Sequence, residues 1–130
     1  MTADFIGPHE GQELQLMLRG VKPLSMFVET IPAEFDIFPE RDFDDAVSSG
    51  HLVKHVSIET INIPSGTEEK IRRVLYALPS EAWRIQAVLL IQHLYSSLGD
   101  GWHPDLDRAI GLLLGYERAD VEKFVTAHER

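Results

Sequence analysis

The chain has 130 residues, 44% of them hydrophobic and 25% charged, ordinary values that exclude collagen, coiled coil and wholesale disorder and fit one domain over 1–130. It contains no cysteine, which excludes a disulfide scaffold, a thiolate zinc site and a Cys nucleophile. Asp and Glu number 21 against 12 Lys and Arg, a formal charge of −9, and that balance disfavours direct binding to nucleic-acid phosphates.

The opening residues, MTADFIGPHEGQE, have neither the basic nor the apolar region of a signal peptide. The longest apolar run, Ala87 to Ile91, is far short of the roughly 20 residues that span a bilayer. A cytoplasmic protein with no membrane segment is expected.

In chain order, residues 11–19 place Leu14, Met17 and Leu18 at helical spacing, with Gly20 as a stop. Residues 23–30 alternate Leu24, Met26 and Val28 with Ser25, Phe27 and Glu29, which predicts a strand. A second strand is predicted over 52–63. Neither of its faces is purely apolar, so cover on both sides or a bulge is expected. Between the strands, Pro39 is placed to open a short helix whose first turns carry Glu40, Asp42, Asp44 and Asp45, and Gly50 to end it. The strand–helix–strand order suits a small sheet covered by a helix, parallel if the crossover is right-handed, and leaves open whether the two strands pair with each other.

From residue 65 onward the pattern reads as helical. Ser65 and Glu68 form a capping box ahead of Ile71, Val74, Leu75 and Leu78. Pro79 breaks that helix and a second runs to about Leu98, apolar on nearly every side, as a buried central helix is. Pro104 and Gly115 bracket a third, and Asp120 to His128 closes the chain. The expected fold is α+β: a small two- or three-stranded sheet from residues 1–64 packed on a bundle of three to four helices from residues 65–130. Its core includes Leu14, Met26, Val56, Ile58, Leu75, Trp83, Leu90, Leu94, Ile110, Leu113 and Phe124. A nearly all-helical domain with one hairpin is the competing arrangement.

No phosphate-binding loop, nucleophile elbow, H-E-x-x-H or deaminase pattern is present, and no cofactor is implied. His51 and His55 are four apart, but along a strand that separates them by about 13 Å, too far for one metal ion. His93, alone among Leu, Ile and Gln, reads as a core or boundary residue. Two constellations remain. Between Val28 and Ser48 lie seven acids (Glu29, Glu34, Asp36, Glu40, Asp42, Asp44, Asp45) and one base, Arg41, with Phe35, Phe38 and Phe43 interleaved. Glu34, Phe35, Asp36, Phe38, Glu40, Asp42, Asp44 and Asp45 are thus the candidate contacts to a partner protein with a basic surface, acids steering association and aromatics anchoring it. The plainer reading is a solvated acidic helix pinned to the sheet by its phenylalanines. The second constellation joins His9 and Glu10 to Trp102, His103 and Asp105, a candidate pocket between sheet and helices for a small enzyme or ligand-binding domain. Its plainer reading is a helix start with dipole-favoured acids. A non-catalytic binding module (an inhibitor, immunity or regulatory accessory protein) is the leading expectation, and a homodimer built on bundle surface is compatible with either.

Overall fold

The computed structural model describes residues 11–31, 37–62, 66–99 and 101–128. His9, Glu10, Glu34, Phe35 and Asp36 lie outside these residues. The elements are α1 (Glu13–Leu18), β1 (Leu24–Ile31), α2 (Glu40–Ser48), β2 (Val53–Asn62), β3 (Glu68–Ala77), a single 3₁₀ turn (Pro79–Glu81), α3 (Trp83–Ser97), α4 (Pro104–Leu113) and α5 (Arg118–His128). An α+β fold results, with a three-stranded sheet and a C-terminal group of helices.

The sheet order is β1-β3-β2, and β3 is antiparallel to both neighbours. β1 and β2 therefore run parallel but do not pair, because β3 lies between them. The helix expected from the capping box is this central strand. Its two faces explain the misreading. Leu75 and Ala77 point to one side, Val74 and Tyr76 to the other, and all four are buried. A strand covered on both faces is apolar at consecutive positions, and a short run of that kind matches a helical period as well as a strand.

Register puts Leu24, Ala77 and Val53 in one row and Met26, Leu75 and His55 in another, on the same face. Against them pack Ile85 and Val88 of α3, Ile110 of α4 and the following Leu114, with Phe124 of α5 alongside. The opposite face carries Phe27, Val74 and Tyr76 and is covered by Met17 of α1, Phe43 and Ala46 of α2, and Phe38 and Leu52. The molecule thus has three layers with the sheet in the middle.

The helix ends fall where their punctuation directs. At the end of α2, Gly50 is left-handed (φ 86°) and donates to Val47, while His51 donates to Ala46, the paired bonds of a Schellman stop. Pro39 precedes α2 rather than occupying its first position, whereas Pro104 does open α4. Gly115, after α4, is also left-handed (φ 89°), and a Cβ there would lie 2.5 Å from Cδ of Pro23. Beside that contact Lys22, only 2% exposed, donates from Nζ to the Leu114 carbonyl at 2.5 Å, placing a cation at the C-terminal end of α4. The start of β1 and the end of α4 are locked together there.

The expected core needs correction at five positions. Val56, Ile58, Trp83, Leu90 and Leu94 are 40%, 57%, 57%, 59% and 41% exposed. Val56 and Ile58 lie on the edge strand β2. The other three lie on α3, which is not buried all round: only Ile85 and Val88 are deeply buried within it. No helix among the described residues is long and apolar enough to cross a membrane.

Candidate functional site

The acidic helix α2 divides into an inward and an outward half. Phe43 is 1% exposed and stacks on Tyr76 with ring centres 4.6 Å apart. Phe38 is also buried and stacks on Phe27 at 4.2 Å. These aromatics are core anchors facing the sheet, and their rings are not offered to a partner. Two of the carboxylates also turn inward. Asp44 accepts a hydrogen bond from the Tyr76 hydroxyl at 2.9 Å and pairs with Lys54 at 2.8 Å. Glu40 accepts hydrogen bonds from Nη1 and Nη2 of the Arg72 guanidinium and from Lys54 Nζ, and Arg72 also donates to Glu29. The hydrogen bonds from Arg72 pull the Glu40 carboxyl down to about 2, since a carboxylate held by guanidinium gives up its charge reluctantly. Burial, reinforced by Asp44, raises the Tyr76 hydroxyl well above its ordinary range. What α2 shows to solvent is Arg41, Asp42, Asp45 and Ser48.

The second constellation is also split. Trp102 donates from Nε1 to Asp107 at 2.9 Å. The Asp105 side chain is 94% exposed and pairs with Arg108 at 2.9 Å, and Arg108 reaches on to Glu122. His103 faces another way: its ring lies edge-on to Tyr95 with centres 5.0 Å apart, and its backbone N–H reaches the Tyr95 hydroxyl at 3.4 Å. Its Nε2 is buried without a hydrogen-bond partner among the described residues. Asp105 and His103 therefore serve different neighbours, and the acids at the start of α4 sit where a helix N-terminus favours them. His51 bonds to Ser49 at 2.8 Å, His55 lies in β2, and His93 is exposed on α3 rather than in the core. Among the described residues no group of three or more His, Asp or Glu is placed to hold a metal ion.

The feature that sequence reasoning missed is the outer face of α3. Trp83, Leu90, Leu94 and Leu98 are 57%, 59%, 41% and 59% exposed, and with Ala87 they follow one another at steps of four, three, four and four residues. That spacing draws a single stripe along the helix, on the side away from Ile85 and Val88. The helix has no Asp or Glu in a chain of net charge −9. Trp83 is held in place: the Arg84 guanidinium lies 4.8 Å from its ring centre and is itself tied to Glu81 and to the carbonyls of Leu112 and Leu113. Leu112, 41% exposed, lies at the same end of the helix pair. All-round apolarity was the available signal. It marks one face serving the sheet and another left in solvent rather than burial on every side.

No family model, curated protein or solved structure matches the chain.

Proposed function

We propose that the chain is a non-catalytic, cytoplasmic protein-binding module whose main recognition surface is the outer face of α3. One observation carries this: four large apolar side chains in a row, half exposed, on a helix free of carboxylates. Monomeric proteins rarely leave such a contiguous patch in water. Interface centres are poor in charge and rich in tryptophan, as this face is. The absence of cysteine suits a reducing compartment.

The test compares the proteins retained by the wild-type chain and by the double variant Leu90→Glu, Leu94→Glu, with circular dichroism as a check on folding. Loss of a retained protein from the folded double variant is the expected result. An unchanged set would remove the idea.

A second reading keeps the basic partner and rests on Asp42 and Asp45, which project from a helix fixed by its buried phenylalanines and by Arg72 and Lys54. Here Asp42→Asn with Asp45→Asn lowers association rates at low salt and leaves them unchanged at high salt. Asp44 is kept out of that variant because it bonds to Tyr76 and Lys54.

A further inference from the structure

We infer that the occupant of this face is a second copy of the chain, with α3 packed antiparallel on α3 of that copy about a two-fold axis near Leu90. The inference rests on the protein-binding reading above and names its partner.

Three features favour a second copy. The first is charge. Two molecules of net charge −9 repel each other, so a self-contact has to form where carboxylates are missing, and α3 is such a place. The second is area. Trp83, Leu90, Leu94 and Leu98 together expose on the order of 400 Å² per copy, a patch size that marks interaction sites. That is about half of what a standard interface takes from each partner. With the flanking Ala87, Ile91 and Leu112 the contact supports a reversible dimer rather than an obligate one. The third is shape. An isologous contact must be complementary to itself. In an antiparallel pair centred near Leu90, small Ala87 falls opposite large Leu94 of the second copy, Trp83 falls opposite Leu98, and Leu90 meets its own equivalent. Leu94 sits on small Ala87 on either side of the central Leu90 pair, and Trp83 against Leu98 closes each end. A parallel pair would instead bring the two Arg84 guanidinium groups together, each already fixed under its Trp83 ring, and would align the two helix dipoles unfavourably.

The native chain has no cysteine, so single cysteines report the geometry cleanly. Sedimentation of the full chain over a range from low to high micromolar concentration should show a mass rising from 14.7 kDa toward twice that value. Leu90→Glu should hold it at the single-chain mass with an unchanged circular dichroism spectrum. Leu90→Cys should cross-link to itself on mild oxidation. Ala87→Cys mixed with Leu94→Cys should give the mixed disulfide in excess over either homodimer. A dimer in which Ala87→Cys links only to itself overturns the antiparallel arrangement. A single-chain mass at every concentration overturns the second copy altogether. In that event the retention experiment on the Leu90→Glu, Leu94→Glu variant still decides separately whether the face binds another protein.

Discussion

The two faces of the sheet are covered in different ways. On the α1–α2 side an aromatic cluster of Phe27, Phe38, Phe43 and Tyr76 is roofed by a short acidic helix, and the helix is fastened by charge: Arg72 and Lys54 from the sheet grip Glu40 and Asp44. On the α3–α5 side the cover is mainly aliphatic, and α3, which packs on the sheet, has an apolar inner face and an apolar outer face. Charge therefore has opposite meanings on the two sides. The acids of α2 are partly consumed in holding the fold together, while the exposed apolar face of α3 carries none.

The sharpest way to break this contrast is to remove an anchor from the aromatic side. Phe43→Ala is expected to cost about 3–5 kcal/mol in urea unfolding, because a fully buried ring leaves a cavity against Tyr76. A loss below ~1 kcal/mol would place Phe43 outside the core and restore it as a candidate partner contact. Acid titration sharpens the same side. Glu40 binds its proton less readily folded than unfolded, from 4.5 down to about 2. Its contribution is complete above the unfolded value and is lost as pH falls through that interval. Urea midpoints of the wild type should drop over that range, and Glu40→Gln should flatten part of the drop. Glu59, lowered by its hydrogen bonds from Arg73, supplies a further part.

Lys22 tests the junction with the aliphatic side. Burial, partly offset by Glu13, lowers its ammonium from 10.5 to about 8. The unfolded chain therefore holds the proton more tightly, and stability rises as pH climbs from about 8 toward 10. Lys22→Met should remove that rise, and an unchanged slope would mean that the lysine keeps its charge when folded. Smallest is the effect of Leu94→Gln measured at concentrations where the chain is monomeric. It should change stability by no more than ~0.5 kcal/mol, although the same change in a buried helix would be severe.

Much of this arrangement was legible in the residues. Two strands, the acidic helix and the Pro104-to-Gly115 helix lie close to their expected bounds, because alternation, proline and glycine act locally. β3 was not legible, since its apolar positions answer to neighbours on both faces that are distant in sequence. The same cause hid the site. Nothing in Trp83, Leu90, Leu94 and Leu98 distinguishes a side chain against the sheet from one in water; only the seating of α3 on the sheet through Ile85 and Val88 decides it. Conversely, the pairing of Glu40 and Asp44 with Arg72, Lys54 and Tyr76 depends on register across strands, which composition does not contain.

The strand order also governs how the molecule is made. β3 is the partner of both other strands, yet it is the last of the three to be synthesised. While a ribosome extends the chain through Asn62, β1 and β2 have no ladder to join, and their apolar positions wait unpaired. Only once Glu68 and Lys70 have emerged can the edges begin to close, and both ladders end at Ala77 on the same template. Sheet formation in this protein is therefore late and two-sided: β2 closes on β3 as a local hairpin from Asn62 and Glu68, whereas β1 needs long-range closure, Ile31 meeting Lys70. Pausing translation before and after β3 is the natural place to watch it happen.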